Sequence, residues 1–157
     1  MISGLEHDEW GHPTSSPKLH TQMTARRREK LKRLAEEIEV PAVHGDQEGE
    51  VLLIGWGSPS GSVREATDRL RSQGRKVGCM VMRHMHPMPN GLEKVFAGYQ
   101  NVIVAEINDQ GLYGQGQLAT LLRARFCDPR IQSVTKTDGL SYQVREIIAG
   151  VEKCVKG

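Results

Sequence analysis

Short apolar runs alternate with amphipathic segments from about residue 40 to the end of the chain. Three of the runs are compact and almost continuous, which is typical of strands buried on both faces of a sheet. These runs are VLLIGW (51–56), VGCMVM (77–82) and NVIVA (101–105). A weaker run covers residues 131–135, and a short one covers residues 40–44, where Pro41 favours a position at the edge of a sheet. The pattern predicts strands at these five places.

Segments whose apolar residues recur at helical spacing separate the runs. In one of them Val63, Ala66 and Leu70 fall on one face, and Gly74 follows as a stop signal. The predicted helices cover residues 62–72, 92–97, 117–126 and 141–155. Strands and helices that alternate at this spacing indicate a parallel sheet with helices on both faces. The residues alone therefore predict a small doubly wound α/β domain.

The first 39 residues differ from the rest of the chain. Residues 1–16 are polar and show no periodicity, so we expect an extended arm. Residues 17–39 have the pattern of a helix, with Ser16 as its cap and Pro17 in its first turn. We therefore divide the chain into an arm, a linker helix at 17–39 and an α/β domain at 40–157.

The charges are strongly polarised along the sequence. The 157 residues include 21 Lys+Arg and 19 Asp+Glu, for a net charge of +2. Residues 18–33 contribute +6, from seven basic residues and one acid, which leaves −4 for the rest. Such a segment can be a nucleic-acid footprint. Because aromatic residues are only 4%, we expect these cations instead to lie in water or against an acidic partner subunit.

Composition also excludes several classes of protein. No apolar run approaches the roughly 20 residues that span a bilayer, and the polar start MISGLEHDEWGH is not a secretory signal. The cysteines Cys79, Cys127 and Cys154 are odd in number and widely spaced. That spacing provides no disulfide framework and no run of iron–sulfur ligands, and it favours a reducing compartment, so we expect a cytoplasmic location.

A loop rich in glycine and serine, GWGSPSG at residues 55–61, follows the first long strand. Such loops can bring phosphate groups to a helix N-terminus. Its spacing is one residue longer than the dinucleotide fingerprint, however, and no Lys-Ser/Thr pair makes it a P-loop. We interpret it as a tight turn in which Ser60 caps the next helix. A free-standing nucleotide-binding module that uses Gly55–Gly61 is the alternative function.

His84 and His86 are candidates for metal ligands. Two histidines two residues apart on an extended segment point to the same side and can bind a metal when a third ligand comes from elsewhere. The prolines at 87 and 89 also fit a fixed loop that leads into the next helix. Since two histidines alone specify no metal, we interpret the segment as structural.

An acidic group with histidines lies near the N-terminus, in EHDE at residues 6–9 with His12 and His20. Carboxylates beside a histidine can support acid–base chemistry. Rigid geometry is hard to hold on an arm without a pattern, however. A solvated polar tail is the preferred interpretation, and we assign no catalytic, cofactor-binding or metal-binding residue in this chain.

The segment 106–117, EINDQGLYGQGQ, connects a buried strand to a helix. Its glycines at 111, 114 and 116 permit close approach of a partner to the backbone. Glu106, at the carboxyl end of the strand, is either a catalytic acid or a hydrogen-bond acceptor for the neighbouring loop. The sequence does not separate these two roles.

Several phrases, in the correct order over essentially the whole chain, resemble α subunits of 2-oxoacid:ferredoxin oxidoreductases. The matching phrases are SGLEHDEWGHPTSSPKLHTQM followed by RR-x-KL (3–31), VLLIGWGSPSGSVREATDRLRSQG (51–74), RHMHPMP (83–89), EIN (106–108), GQLATLLR (116–123) and KTDGL (136–140). The closing phrases are similar to the 2-oxoglutarate type. The loop between Asn108 and Gly116 is longer than in many relatives.

The resemblance implies a domain like the C-terminal domain of transketolase. Such a domain is a three-layer α/β/α structure with a five-stranded, mostly parallel sheet and one antiparallel edge strand, which residues 40–44 would supply. It also implies that the complete enzyme uses thiamine diphosphate, Mg²⁺, iron–sulfur clusters and coenzyme A. That enzyme converts a 2-oxoacid to an acyl-CoA and CO₂ and reduces ferredoxin.

The motifs for those cofactors are missing from this sequence. Its Gly45-Asp46 pair is followed by Gln47, so it has no G-D-G motif for thiamine diphosphate, and it has no cysteine cluster. We therefore expect a C-terminal piece of a longer α chain, inactive alone. Its expected partners are the rest of that chain and the β subunit, with ferredoxin reached only through the complete enzyme and no membrane. Nucleic acid is the less favoured partner, through the basic segment 18–33.

Overall fold

The structure, a computed structural model, describes residues 4–156, so the first three residues of the predicted arm and the last residue of the chain lie outside it. Ten elements follow one another in that range. They are α1 (Pro17–Glu37), β1 (His44–Gly45), β2 (Gly49–Trp56), α2 (Ser60–Ser72), β3 (Val77–Met82), α3 (Leu92–Phe96), β4 (Tyr99–Glu106), α4 (Gln117–Phe126), β5 (Ile131–Thr135) and α5 (Val144–Lys156).

The strands form one five-stranded sheet in the order β1-β3-β2-β4-β5. Strands β2, β3, β4 and β5 pair in parallel, and β1 pairs antiparallel with β3. The central pair is in register from Val51 opposite Asn101 to Gly55 opposite Ala105. The predicted fold class is confirmed, including the single antiparallel strand at the edge.

Side chains that alternate along the strands build two cores, one on each face of the sheet. Leu52 and Ile54 of β2 pack with buried residues of α3 and α4, such as Leu92 and Leu122. On the opposite face, Val51 and Leu53 pack with α2 and α5. The three predicted apolar runs are therefore buried on both faces, which is why they contain so few polar residues.

Element boundaries differ from the predictions where a local contact decides them. The predicted strand 40–44 is reduced to His44–Gly45, because the segment around Pro41 lacks an amide donor and pairs with no strand among the described residues. The last helix begins at Val144 instead of 141. There the Glu146 carboxylate accepts the backbone N–H of Gln143 at 2.8 Å and so stabilises the first turn.

The N-terminal arm folds back on itself where an extended segment was predicted. A β-bridge joins His7 to Pro13, and the N–H of Asp8 donates to the carbonyl oxygen of His12 at 2.9 Å. Gly11, with a φ of +81°, supplies the left-handed residue of the turn. Ser16 caps α1 as predicted, through its hydroxyl and the N–H of Leu19.

Candidate functional site

The carboxyl ends of β2, β3, β4 and β5 share one edge of the sheet because these strands are parallel. Open α/β sheets bind their ligands at this edge. The segments that follow the four strands are residues 57–59, 83–91, 107–116 and 136–143. The fold thus brings together the glycine-rich loop, the His84/His86 segment and the loop after Glu106.

The glycine-rich loop is a tight turn between β2 and α2. Gly57 has a φ of +67°, a conformation that favours glycine. The Ser60 hydroxyl donates to the carbonyl oxygen of Gly57 at 2.5 Å, so it bonds inside the turn. Ser60 is the first residue of α2, and Pro59 holds the N-cap position without a side-chain hydrogen bond. The predicted capping role of Ser60 is therefore wrong, because its hydroxyl is already engaged.

The His84/His86 segment is anchored by its methionines. Both histidines are exposed, whereas Met85 packs against the core beside α3 and α4, and Met88 is buried. Within residues 4–156, no three His, Cys, Asp or Glu side chains lie close enough together to hold a metal ion. The described part of the chain therefore supplies no third ligand to these histidines.

The acidic group of the arm fastens the arm to α1. The Glu6 carboxylate accepts two hydrogen bonds from the Arg27 guanidinium, at 2.5 and 3.3 Å, and lies 3.2 Å from Nδ1 of His20. Its bond to Arg27 is the main cause that lowers the pKa of Glu6. Asp8 accepts the N–H of His12 at 2.8 Å, which lowers the pKa of Asp8. These contacts hold the turn together and join the arm to α1.

Glu106 is fully buried, and both of its carboxylate oxygens accept backbone hydrogen bonds. The N–H groups of Leu118 and Ala119 donate to them at 2.9 and 3.0 Å. These amides belong to the first turn of α4, whose N-cap residue, Gly116, has no side chain to cap it. Glu106 therefore caps α4 from the neighbouring strand. Of the two roles that the sequence left open, the structure supports the hydrogen-bond acceptor.

The glycine at 116 is explained by this arrangement. A Cβ atom at Gly116 would overlap the Glu106 carboxylate. The N–H of Gly116 meanwhile donates to the Ser133 hydroxyl of β5 at 2.9 Å. Strands β4 and β5 thus both hold the start of α4 and fix the direction in which the preceding loop leaves the sheet.

The loop at residues 107–116 presents apolar side chains to solvent. Leu112 is 96% exposed and Tyr113 is 89% exposed, and they share a shallow groove with Leu121 of α4, which is 44% exposed. The Asp109 carboxylate accepts the N–H of Gly111 at 2.8 Å and so shapes the turn that carries them. Contiguous exposed apolar residues typically mark a surface that contacts another protein. We name Leu112, Tyr113 and Leu121 the apolar patch.

A buried-lysine cluster lies at the same edge and was missed by the sequence reasoning. The Lys136 amino group, with only 9% of its side chain exposed, lies 2.8 Å from the Asp138 carboxylate and 2.7 Å from that of Glu146. These bonds lower the pKa of both carboxyls and raise that of Lys136. The sequence signal that could have revealed this cluster is Glu146, an acidic residue in the first turn of α5 that can reach back to the preceding loop.

Tyr142 ties the same loop to the sheet. Its hydroxyl lies 2.7 Å from the carbonyl oxygen of Val134 and 3.1 Å from that of Glu106. Burial is the main cause that raises the pKa of Tyr142 well above its usual range. The hydroxyl therefore stays protonated and acts as a donor that joins β4 and β5.

The cysteines lie on three different elements. Cys79 is buried in β3, Cys127 is exposed after α4 and Cys154 is partly buried in α5, and all three are free thiols. Burial raises the pKa of Cys79 and of Cys154, so neither is a reactive thiolate at neutral pH. No helix in the described range is both long enough and apolar enough to cross a membrane.

Comparison with known families gives a match to one family. Residues 49–147 match the family described as pyruvate:ferredoxin oxidoreductase core domain II. The α subunit of 2-oxoacid:ferredoxin oxidoreductase 2 from Aeropyrum pernix is 34% identical over 99% of this chain. The 2-oxoglutarate oxidoreductase subunit KorA of Mycobacterium tuberculosis is 36% identical over 93% of it. The chain spans 24% and 21% of the lengths of these relatives.

Solved structures give a consistent result. The 2-oxoglutarate:ferredoxin oxidoreductase from Magnetococcus marinus, solved with 2-oxoglutarate, coenzyme A and succinyl-CoA bound, matches with a TM-score of 0.82 at 34% identity. That match covers 99% of this chain and 26% of the other. A split-gene transketolase matches over 76% of this chain and 44% of its own, with a TM-score of 0.58 at 17% identity. The second likeness shows the transketolase-like fold.

Proposed function

The chain belongs to the pyruvate:ferredoxin oxidoreductase core domain II family, and from this membership we propose that it is a non-catalytic, subunit-interface domain of a 2-oxoacid:ferredoxin oxidoreductase α subunit. The complete enzyme would convert 2-oxoglutarate and coenzyme A to succinyl-CoA and CO₂ while it reduces ferredoxin. The choice of 2-oxoglutarate is supported by the KorA relative and by the Magnetococcus marinus match.

The state of Glu106 is the observation that carries the non-catalytic role. Glu106 is the acid at the carboxyl end of β4, an inner strand of the sheet, where a catalytic group of an α/β domain would be expected. Both of its oxygens are occupied by the backbone of α4, and no solvent reaches it. The apolar patch lies on the loop that this contact orients. The edge thus offers a surface for another polypeptide.

The cofactors of such an enzyme would be held outside this domain. The sequence does not fit thiamine diphosphate with Mg²⁺, because Gly45-Asp46 is followed by Gln47 and so provides no G-D-G motif for the metal-bound diphosphate. The described residues do not fit an iron–sulfur cluster either, because the three cysteines lie on separate elements. In the glycine-rich loop the Ser60 hydroxyl donates within its own turn, so it gives no support for a phosphate of coenzyme A or of a nucleotide.

The partners would be the rest of the α polypeptide and a β subunit. The Aeropyrum pernix and Mycobacterium tuberculosis relatives are about four times as long as this chain and are named as subunits. We place residues 1–16 and 17–39 in an arm and a linker that lead to a neighbouring domain, with residues 40–157 as the α/β domain. The three free thiols suit the reducing cytoplasm, where we place the enzyme.

Assembly of the α subunit around this domain tests the proposed function. The full chain is expressed in its source cell together with the remaining α and β polypeptides. The reduction of ferredoxin that depends on 2-oxoglutarate is then measured. We expect activity with all polypeptides present and none with the chain alone. Activity of the chain alone would contradict the proposal.

Substitutions in the apolar patch sharpen that test. Leu112→Ser with Tyr113→Ser should leave the folded domain unchanged, because both side chains are in solvent, and should lower the recovery of assembled enzyme about tenfold or more. Lys94→Ser, on the exposed face of α3, is the matched control and should assemble normally. Equal recovery of the two variants would exclude the patch from the interface.

Ligand titration separates the proposal from the alternative of a nucleotide-binding module. NAD, ATP and thiamine diphosphate are titrated against the purified chain by calorimetry, and we expect no binding at micromolar concentration. Micromolar binding that is lost on Gly57→Val would favour the alternative. Gly57 is a suitable position because nothing lies within 4 Å of the Cβ it would carry, so only its φ of +67° resists the substitution.

A further inference from the structure

The two edges of the sheet are finished differently. Strands β1 and β5 lie at the ends of the strand order, so each has a neighbouring strand on one side only. The backbone groups on the outer side of such a strand are available to pair with a further strand. At the β1 edge the chain occupies its own outer acceptors, because the Gln47 side-chain amide donates to the carbonyl oxygens of Val43 and Gly45 at 3.2 and 3.4 Å. The β1 strand is also only two residues long.

The hydrogen bonds between β4 and β5 identify the groups of β5 that point away from the sheet. The carbonyl oxygen of Arg130 accepts an N–H of β4, and the N–H of Lys136 donates to a carbonyl oxygen of β4. Successive residues of a strand direct their backbone groups to opposite sides, so the even-numbered residues of this stretch bond to β4 and the odd-numbered ones point outward. The outward residues are Ile131, Ser133 and Thr135.

The amino end of this edge is closed, and its carboxyl end is open. The carbonyl oxygen of Ile131 accepts a hydrogen bond from the Arg123 guanidinium at 2.7 Å, and its N–H donates to the carbonyl oxygen of Asp128 at 3.3 Å. In the described part of the chain, no group bonds to the backbone N–H or carbonyl oxygen of Ser133 or Thr135. Two donors and two acceptors therefore remain in a row. We name Ser133 and Thr135 the open edge.

The residue types of β5 do not protect this edge. The strand, IQSVT, contains no charged residue and no proline, which are common means of preventing a further strand from pairing. Val134 and Thr135 are β-branched and favour an extended chain. A groove of about 480 Å³ lies beside the open edge and is lined by residues of β5 and α5. Its α5 wall includes Ala149 and Gly150, so there is room for the side chains of an added strand.

The open edge has the chemistry to recognise an extended polypeptide. Alternate residues of a strand present an N–H and a carbonyl oxygen on the same side, which complements the two donors and two acceptors here. An anion such as a phosphate would satisfy only the donors. Four hydrogen bonds with a modest net gain do not offset the cost of joining two free molecules. The occupant is therefore a segment that another connection already holds close to the edge.

The apolar patch provides a second contact for such a segment. Gln110 lines the groove beside the open edge and also the groove that holds the apolar patch, so the two surfaces are continuous. This chain spans 24% of the length of the Aeropyrum pernix relative, so most of an α subunit of that length lies outside it. A segment of the same subunit is present at high local concentration, whereas a second copy of this chain would have to associate from solution.

We infer that an extended segment from the rest of the α subunit pairs with Ser133 and Thr135 and adds a sixth strand to the sheet. The inference rests on the proposed function for the identity of that polypeptide. It requires a segment without proline at the two positions that pair with the open edge, because both of them must supply an N–H.

Hydrogen exchange of the assembled enzyme tests the inference. The enzyme is purified from its source cell, and the exchange of single amides is measured by mass spectrometry with electron-transfer fragmentation. We expect the amides of Ser133 and Thr135 to exchange about a hundredfold or more slowly than a free peptide. The internal reference is the pair Gln132 and Val134, whose amides bond to β4. Free exchange at Ser133 and Thr135 beside a protected reference pair would overturn the inference.

Proline substitution separates a paired strand from simple burial. Thr135→Pro removes an N–H that β4 does not use, so the ladder between β4 and β5 remains. The protection of Ser133 should fall about tenfold or more, while that of Val134 stays unchanged. Thr135→Val keeps the N–H and is the control, which should retain protection at Ser133. Equal protection of Ser133 in the two variants would overturn strand pairing, and the wild-type measurement decides the inference if Thr135→Pro does not assemble.

Photo-cross-linking identifies the source of the strand. Thr135→photo-methionine places a diazirine at the open edge of the assembled enzyme, and the joined peptides are identified by mass spectrometry. We expect them to come from the α subunit outside this chain. Gln73→photo-methionine, exposed at the end of α2, is the control and should not give the same product. Peptides from a β subunit, from a second copy or from this chain alone would overturn the stated source.

The inference and the proposed function fail in different ways. If the oxidoreductase assembles while Ser133 and Thr135 exchange freely, the open edge is not completed and the proposed function stands. If the chain is recovered from its source cell without any oxidoreductase polypeptide, the proposed function fails, and the source of the strand stated here fails with it.

Discussion

The buried carboxylate of Glu106 shows how a single residue fixes the geometry of the carboxyl edge. It substitutes for the side-chain cap that Gly116 cannot provide, and its own oxygens fill the space of the missing Cβ. A strand and the following helix are thereby joined through one side chain. A buried carboxylate remains compatible with folding only when its oxygens are bonded in this way.

Glu106→Gln should destabilise the protein by about 2 kcal/mol, because one of the two amides of α4 would face the NH₂ group instead of an oxygen. The measurement is urea unfolding followed by circular dichroism. Glu93→Gln, at an exposed position in the first turn of α3, is the control and should change stability by less than about 0.5 kcal/mol. Equal effects in the two variants would show that Glu106 does not cap α4.

The Lys136 cluster should make stability depend on pH in the acid range. The pKa values of Asp138 and Glu146 are lowered by their bonds to Lys136, from usual values of 3.8 and 4.5. Groups with a lowered pKa in the folded state stabilise it above their unfolded pKa, and this stabilisation is lost as pH falls through the folded pKa. The contribution should therefore be complete at pH 6, begin to fall near the usual values of 4.5 and 3.8, and disappear only below the lowered pKa values of the folded state.

Lys136→Met isolates that contribution. We expect the difference in unfolding free energy between wild type and variant to be largest near pH 6 and to shrink as pH falls below 4.5, the usual value for Glu146. Lys94→Met, which removes an exposed lysine, should give a difference that does not vary with pH. A constant difference for Lys136→Met would mean that the cluster does not stabilise the fold electrostatically.

For single residues, the sequence predicts which side chains are candidates for a functional site but not what role each of them has. Glu106 was recognisable from its place at the end of an apolar run, yet its function depends on amides twelve and thirteen residues later, which only the tertiary path brings near. Lys136 and Glu146 are ten residues apart, a spacing that matches neither a helix nor a strand period. Their contact exists because a loop turns back between β5 and α5.

Packing of α5 against the sheet explains an unusual helical glycine, Gly150. A Cβ atom there would lie 2.5 Å from both methyl groups of Val134. Gly150→Ala improves helix propensity by about 1 kcal/mol, but the overlap with β5 costs about 1–3 kcal/mol. We expect the overlap to dominate and the variant to be less stable in thermal unfolding.

Two further substitutions test the prediction for Gly150: one at another helical glycine, Gly61, and one at the residue that Gly150 contacts, Val134. Gly61, in α2, has nothing within 4 Å of its added Cβ, so Gly61→Ala should stabilise the protein by up to about 1 kcal/mol. Val134→Ala should relieve the overlap at Gly150→Ala, with a coupling of about 1–2 kcal/mol in the double-mutant cycle. A stabilising Gly150→Ala would mean that α5 does not pack this closely on β5.

Element identity was predictable because the core imposes it, whereas element ends were not. The apolar runs became β2, β3 and β4 since a central strand must be apolar on both faces. The edge strand β1 has one neighbour, β3, so its extent depends on a few hydrogen bonds and shrinks to His44–Gly45. The start of α5 differs from the predicted start at residue 141 because the Glu146 carboxylate accepts the N–H of Gln143 and stabilises the first turn there.

The order of strands is a property of the whole molecule that the apolar pattern does not contain. Alternation of strands and helices indicated a parallel sheet, and the family resemblance implied one antiparallel edge strand. The order β1-β3-β2-β4-β5 was not predicted and comes from the structure. The near-zero net charge likewise concealed two parts of opposite sign. The sequence predicted that the basic part is a helix, but only the structure shows that this helix buries a single side chain, Ala35.

Hydrogen exchange should reveal this division as two levels of protection in the isolated chain. Strands β2 and β4 lie at the centre of the sheet with both faces covered, so their amides should exchange only by global unfolding. The amides of α1 should exchange far faster, because repulsion among its cations and the lack of a packed face favour local opening. The measurement is exchange monitored by mass spectrometry at neutral pH.

Hydrogen exchange of the assembled enzyme tests whether a partner covers α1. If a partner covers α1, protection of that helix should rise on assembly while β2 and β4 stay unchanged, and 0.5 M salt should reverse the gain because it screens the ion pairs. Helix α5 of the α/β domain serves as the reference, since its apolar face is already buried in the isolated chain. Protection of α1 equal to that of β4 before assembly would place its partner within the chain itself.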